Sequence, residues 1–323
     1  MGRILIVTIR SKGGGAEKII EKIINSGVGD FKWINMESFL SLPFFYKYAK
    51  FIFLIYQNIS HFDKVLIGTE GVLGLLVFPF KFFYRKKFIL WNHCYFNDYK
   101  FFLNKKNQVL YRICYAIYPF RINASPASEI GTFVPNPYFF RDFCAFNHFL
   151  NNSEITLLSV SSLAKLKRVD LTIKLLQNLP ANINLNIYGV GIERQNLECL
   201  ANNEKTQNRI KFLGYHNNPF EIEANIPHIL IVNSQTEALP TIILEAVEHF
   251  IPVIVSAYTG AEYWFGVKSV FVLEEITSEK TMEIIDYFKK MNDAEYYDLF
   301  SSDIEKLKEQ HNYVKFIHTL EQF

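Results

Sequence analysis

Short apolar runs alternate with longer amphipathic stretches along almost the whole of this chain, and the alternation occurs twice. The first series reads "ILIVTI", "AEKIIEKIINSG", "FKWINM", "PFFYKYAKFIFLIYQNI", "DKVLIGT", "GVLGLLVFPFKFFY", "KFILWNH", "KKNQVLYRICYAIYPF" and "RINAS". Short apolar runs mark strands buried on both faces, and the stretches between them have the length and period of helices. Parallel strands need such crossovers, so the series predicts an open Rossmann-type sheet. The pattern loosens at "VPNPYFFRDFCAFNHFLNNSE", where prolines and asparagines mark a linker from about Tyr138 to Ser153. A second series follows: "ITLLSV", "VDLTIKLLQNL", "INLNIYGVG", "RQNLECLANNE", "RIKFLGY", "HILIVNS", "PTIILEAVEHF", "IPVIVS" and "SVFVLEE". The expected organisation is one α/β domain over 1–150, a second over 151–305, and a C-terminal helix over 306–323 that can pack back across both.

Composition narrows the class. Half of the residues are hydrophobic and a fifth are charged, as in a globular chain. The net charge of +2 hides an asymmetry: residues 1–150 carry 19 lysines and arginines against 9 acids, a balance of +10, and the remainder carries −8. The first half is therefore the side expected to meet an anionic surface. Cys94, Cys114, Cys144 and Cys199 are widely spaced, with no C-x-x-C and no zinc-like Cys/His spacing, so they read as reduced core residues of a cytosolic protein. "MGRILIVTI" runs straight into a strand without a signal peptide, and "FIFLIY" and "GVLGLLVFPF" are too short to span a bilayer.

Two stretches carry chemistry. "SKGGGAEKII" places three glycines between a strand and a helix, as a phosphate-binding turn requires, but Lys18 stands where the dinucleotide fingerprint needs its last glycine. In "HILIVNSQTEALPTIILEAVEHFIPVIVS" a buried strand leads through a polar loop to Pro240, suited to the first helical position, and then to a helix and a strand. Helical geometry puts Ile242, Ile243, Ala246, Val247 and Phe250 on one apolar stripe, Glu245 on its flank and Glu248 on the opposite, solvated side. Glu237 and Glu245 form E-x7-E, and the free N–H groups at the helix start suit an anion. Spacing alone is weak, since Glu275 and Glu283 repeat it in an ordinary helix. On the residues alone, two surface glutamates flanking a buried helix is a competing reading.

In its strand–loop–proline–helix–strand context this stretch resembles the retaining GT-B glycosyltransferases of family 4. "LLSVSSLAKLKRVDLTIKLL" is similar to the family's strand, basic loop and helix, "LNIYGVGIERQNLECLA" to its strand and glycine turn, and "RIKFLGY" to its F-L-G strand end. "VPNP" resembles the close of the family's first domain, and "GGGAEK" its N-terminal glycine loop. The resemblance implies an α/β chain of two Rossmann-like domains facing a central cleft. It also implies transfer of a sugar from a UDP- or GDP-linked donor to a glycan or lipid-linked acceptor, with retention of configuration. Family chemistry of this kind serves lipopolysaccharide, O-antigen or capsule assembly, and no cofactor or metal is needed; the chain has no D-x-D.

Residue by residue, the resemblance gives Lys167 the clamp on the departing diphosphate. The family's second basic residue is replaced by Ser162, and Arg168 or Lys165 can supply that charge; the competing reading of "KLKR" is a solvated turn. Glu245 matches the acceptor of ribose hydroxyl hydrogen bonds and Glu237 the glutamate at the donor sugar, with Ala238, Leu239 and Thr241 beside it. Gly14 and Gly15 allow the backbone to approach the diphosphate, and Gly189 and Tyr215 fall in the loops that complete the donor site. His93 matches a histidine beside the donor sugar. The aromatic and basic stretches "FFYKYAKFIF" and "FPFKFFYRKKF" imply peripheral docking on an anionic membrane surface at the cytoplasmic face, against a plain solvated rim; no nucleic-acid partner is expected. Two alternatives stay open: a two-domain NAD-dependent dehydrogenase with Glu37 as its ribose acid, and an inactive GT-B scaffold in an envelope-assembly complex, favoured by Ser162.

Overall fold

A computed structural model of the chain describes residues 2–11, 15–84, 87–141, 154–203, 206–222 and 228–323. They divide into two compact units, Met1–Phe139 with Gln310–Phe323, and Phe140–Glu309. The strands of the first unit are β1 (Ile4–Thr8), β2 (Phe31–Asn35), β3 (Lys64–Ile67), β4 (Lys87–Asn92), β5 (Arg121–Asn123) and β6 (Thr132–Phe133). They form one parallel sheet in the order β2-β1-β3-β4-β5-β6. The two-residue β6 is too short to show a period, and the sequence reading lacks it.

Alternation along β1 splits the core of this unit in two. Leu5 and Val7 point to the side covered by helices Phe44–Ile59 and Val72–Phe83, where Phe51, Ile55, Ile59, Leu73 and Val77 are buried. Ile4 and Ile6 point to the other side, against Ile19, Ile20 and Ile23 of helix Gly15–Asn25. The C-terminal helix Tyr313–Gln322 closes that same side with Tyr313, Phe316, Ile317 and Leu320, one stripe at i, i+3, i+4 and i+7. Asn312 caps its start, accepting the Lys315 N–H at 3.0 Å. At its end Lys64 Nζ donates to the carbonyls of Leu320 and Glu321 at 2.7 and 2.5 Å, placing a cation at the negative pole of the helix. The last helix is thus an integral part of the first unit. The expected boundary at residue 150 lies outside the described residues.

The second unit contains β7 (Ile155–Val160), β8 (Ile183–Tyr188), β9 (Ile210–Gly214), β10 (His228–Val232), β11 (Val253–Ser256) and β12 (Val270–Leu273). These pair in parallel in the order β12-β11-β10-β7-β8-β9. Its central strands β7, β10 and β11 are buried almost throughout, which is why they read as uninterrupted apolar runs. Both units are Rossmann-like α/β sheets. Among the described residues no helix is long and apolar enough to cross a membrane.

Candidate functional site

Strand order in the second unit reverses beside β7: the chain adds β8 and β9 on one side, then returns to place β10 on the other. Open α/β sheets bind ligands at such a switch point, outside the carboxyl ends of the two diverging strands. The loops leaving β7 and β10 carry the two charged residues that the sequence singles out most strongly. Lys167, at the end of the turn Lys165–Lys167, places Nζ 2.5 Å from Glu237 Oε1 in the loop after β10. Ser234 Oγ donates to the same carboxylate oxygen at 2.7 Å. Ser234 is itself fixed, its carbonyl accepting from Ser256 Oγ at 2.8 Å.

Arg168 ties the two loops together. It has a left-handed backbone, φ 46° and ψ 41°, a conformation that costs a non-glycine residue about 1–3 kcal/mol. Its Nε donates to the Asn233 carbonyl at 3.0 Å and its Nη2 to Asn233 Oδ1 at 3.3 Å. The Gln235 N–H adds a bond to the Leu166 carbonyl at 2.8 Å. In this arrangement the Arg168 guanidinium braces the loop that presents Glu237. Lys165 is exposed, and so is Ser162.

The neighbouring loops complete the same edge of the sheet. Gly189 has φ 141°, and a Cβ there would lie 1.8 Å from the Ser161 carbonyl oxygen, so only glycine allows the loop after β8 to lie against the loop after β7. The contact is held by Ser161 N–H to the Tyr188 carbonyl at 3.1 Å and Leu163 N–H to the Val190 carbonyl at 3.0 Å. Tyr215, just after β9, is 57% exposed and donates to Asn217 Oδ1 at 2.7 Å.

Beyond the Glu237 loop, helix Thr241–Glu248 begins with Pro240 as its N-cap residue, one position earlier than the first helical turn expected for it. No side chain caps this end, so its N–H groups suit an anion. Leu239 is buried, while Ala238 and Thr241 are half-buried. Glu245 is half-buried, as a flank position requires. Glu248 corrects the sequence reading: it is buried, 3% exposed, rather than solvated. The reason lies 107 residues earlier, where the Arg141 N–H donates to Glu248 Oε1 and Arg141 Nε sits 3.5 Å from Oε2. Arg141 also pairs with Glu221 and reaches His249 Nε2 at 2.9 Å.

In the first unit, Gly15 opens helix Gly15–Asn25, and the position of an added Cβ there has nothing within 4 Å. Gly14 lies outside the described residues. Glu37 accepts the Ser11 N–H at 3.0 Å, which anchors the start of the glycine loop. His93 follows β4 and is half-buried against Trp91, ring centroids 4.5 Å apart. Burial pushes its pKa down to about 4, opposed in part by a hydrogen bond to the Gly68 backbone. The ring is therefore neutral near pH 7. Its Nε2 is buried without a hydrogen-bond partner among the described residues.

Sequence reasoning missed Ser234 and Glu70. Ser234 left a faint signal, a hydroxyl three residues before Glu237. Glu70 left a clearer one, a single acid inside the apolar stretch "VLIGTEGVLGLLVF". No group of three or more His, Cys, Asp and Glu among the described residues could hold a metal ion.

The model of the family "Glycosyl transferases group 1" matches residues 140–306, which include every site residue placed in the second unit. No match was found among curated proteins. Three solved structures show the same fold over nearly the full length of both chains. Anabaena HepE, in complex with UDP and glucose, has a TM-score of 0.77 at 15% identity, covering 100% of this chain and 99% of its own. Sucrose-phosphate synthase from Thermosynechococcus elongatus has a TM-score of 0.74 at 12% identity, covering 100% and 98%. The lipopolysaccharide outer core galactosyltransferase WaaB has a TM-score of 0.67 at 17% identity, covering 98% and 97%. The two parallel six-stranded sheets and these likenesses define a GT-B fold. The chain belongs to the group 1 glycosyltransferases.

Proposed function

We propose that this chain is a retaining, family 4 hexosyltransferase that moves a sugar from a nucleotide diphosphate donor, UDP- or GDP-linked, without a metal ion. The observation that carries the reading is the Lys167–Glu237 pair at the switch point, beside a helix start that no side chain caps and one helical segment before Glu245. A departing nucleoside diphosphate needs positive charge and N–H donors, which Lys167 and the start of helix Thr241–Glu248 supply. In the absence of donor, Glu237 neutralises Lys167; with donor bound, the diphosphate competes for the ammonium and Glu237 turns to the sugar hydroxyls. Glu245 accepts the ribose hydroxyls, while Ala238, Leu239, Gly189, Ser162 and Tyr215 shape the donor site. Arg168 braces it. Gly14 and Gly15 admit the diphosphate, and neutral His93 accepts a hydroxyl of the sugar being transferred.

The acceptor in this reading is a glycan or lipid-linked saccharide of bacterial surface polysaccharide assembly, in keeping with the lipopolysaccharide transferase WaaB among the similar structures. The first unit meets it while docked peripherally on the inner face of the cytoplasmic membrane. Phe44, Phe45, Tyr46, Phe53, Phe82 and Phe83, 57% to 83% exposed, support this. The test is release of UDP or GDP from the corresponding nucleotide sugars, with and without lipid-linked acceptor. A folded protein that binds nucleotide and releases none would instead be the inactive scaffold.

A further inference from the structure

Glu70 has no part in the donor chemistry above, yet it is a half-buried acid tied to the turn after β4. It follows β3 at the sheet's own switch point, since β2 and β3 flank β1 on opposite sides. Its Oε1 accepts the His93 N–H at 2.9 Å and lies 3.5 Å from Cys94 Sγ. A carboxylate that takes main-chain and thiol donors from one turn fixes that turn. The turn is the one that carries the His93 ring, whose other anchors are Trp91 and the Gly68 backbone.

We propose that Glu70 is a positioning residue of the transfer site: by holding the His93–Cys94 turn, its carboxylate sets the direction in which His93 Nε2 is presented. This rests on the transferase reading, which gives His93 its hydroxyl to bind.

The surroundings make the hold dependent on pH. Burial raises the Glu70 carboxyl to about 7, with the His93 and Cys94 backbone bonds opposing the rise. The other titratable groups that face it are Cys94, Cys114, Tyr99, Tyr111 and Tyr115, and burial together with the Glu70 charge pushes each of them up, so all are neutral where Glu70 titrates. Arg121 stands over the Tyr115 ring, 5.4 Å from its centroid. Glu70 is thus the one member of the cluster that changes charge near neutrality. Protonated, it accepts the turn's donors less strongly.

The experiment compares wild type with Glu70→Gln and Glu70→Ala in two readouts. Imidazole NMR across pH 5–9 follows the His93 ring, and UDP release from UDP-glucose gives kcat and KM at each pH. The wild-type His93 signals should shift with a midpoint near 7 and lose that inflection in Glu70→Gln, which cannot titrate. In turnover, Glu70→Gln, a neutral acceptor like the protonated acid, should lose the acid limb and hold kcat near the wild type's acid-side value at every pH. Glu70→Ala should lose kcat by on the order of 100-fold with donor KM changed less than about threefold, as a misplaced group does. A His93 inflection that persists in Glu70→Gln, or a folded Glu70→Ala with wild-type kcat, overturns the proposal. Absence of UDP release from wild type, with UDP still bound, counts against the transferase reading, and the imidazole titration then decides the Glu70–His93 coupling by itself. If Glu70→Ala fails to fold, Glu70→Gln decides both readouts.

Discussion

Lys167 Nζ and Glu237 Oε1 lie 2.5 Å apart although 70 residues separate them in the chain. Both side chains are more than four-fifths buried, at 18% and 13% exposure, so the pair is shielded from solvent. An ammonium already bonded to a carboxylate is a preorganised site for a second, stronger anion.

Lys167→Ala should therefore lower turnover by on the order of 100-fold, because the departing diphosphate loses its counter-charge. Lys165→Ala should do much less, since Lys165 is exposed and Lys167 is the lysine bonded to Glu237. Steady-state kinetics on both variants decide it. Equal losses, or a larger loss from Lys165→Ala, would give the clamp to the wrong lysine.

Glu248→Ala should destabilise the second unit by about 1.5–3 kcal/mol, the worth of hydrogen bonds to a charged acceptor that is itself buried. The lost partners are the Arg141 N–H and guanidinium. Urea denaturation measures it. A change below about 0.5 kcal/mol, the scale of ordinary surface substitutions, would mean that Glu248 is solvated after all.

The alternation of strands and helices was legible because each buried strand is a short apolar run and each helix has one apolar stripe. What the pattern could not convey was the identity of the partner on that stripe. Tyr313, Phe316, Ile317 and Leu320 announce a buried face, but nothing local says that the face belongs to the sheet that begins at Ile4. Glu248 failed for the same reason: its helical angle is polar by local geometry, and Arg141 reverses that from far along the chain. The strand, loop and helix that carry Glu237, Pro240 and Glu245 were readable because they follow one another in one segment. Its bracing was not, since Arg168 to Asn233 and Ser256 to Ser234 are tertiary bonds.

Acid should loosen the anchor of the C-terminal segment. His311 is buried with Nδ1 2.7 Å from the Asn136 carbonyl, and burial lowers its pKa to about 4 from an ordinary 6.5. Between those values the unfolded chain binds a proton that the folded chain does not. Stability is thus full above pH about 6.5 and falls as pH falls toward 4. His93 acts in the same direction, whereas Glu70, raised from 4.5 to about 7, makes stability fall as pH rises across that span. Comparing His311→Gln with wild type isolates His311, because the other two groups are common to both. The variant should lose less stability between pH 6.5 and 4.5 in urea titrations; an unchanged slope would contradict this.

Membrane docking should depend more on exposed rings than on the lysines around residue 85. Lys81 Nζ already donates to the Ile117 carbonyl at 2.7 Å, while Phe45 and Phe83 are 83% and 81% exposed. Sedimentation with anionic vesicles should pellet the protein at low salt and less at high salt, where charge attraction is screened. Phe45→Ser with Phe83→Ser should abolish pelleting. Equal pelleting of the double variant would place the docking surface elsewhere, and a native protein that stays in the supernatant would make the acceptor a soluble one.

The central claim is that the switch point of the second unit binds a nucleoside diphosphate through Glu245 and Lys167. Titration calorimetry of UDP, GDP, ADP and NAD against wild type and Glu245→Ala tests it most directly. The account predicts that UDP or GDP binds and NAD does not. It further predicts that Glu245→Ala, folded as judged by its melting, binds that diphosphate more weakly by roughly 1.5–3 kcal/mol, the loss of a charged acceptor of ribose hydroxyls. Binding of NAD in place of the diphosphates, or unchanged diphosphate affinity in the folded variant, would contradict it.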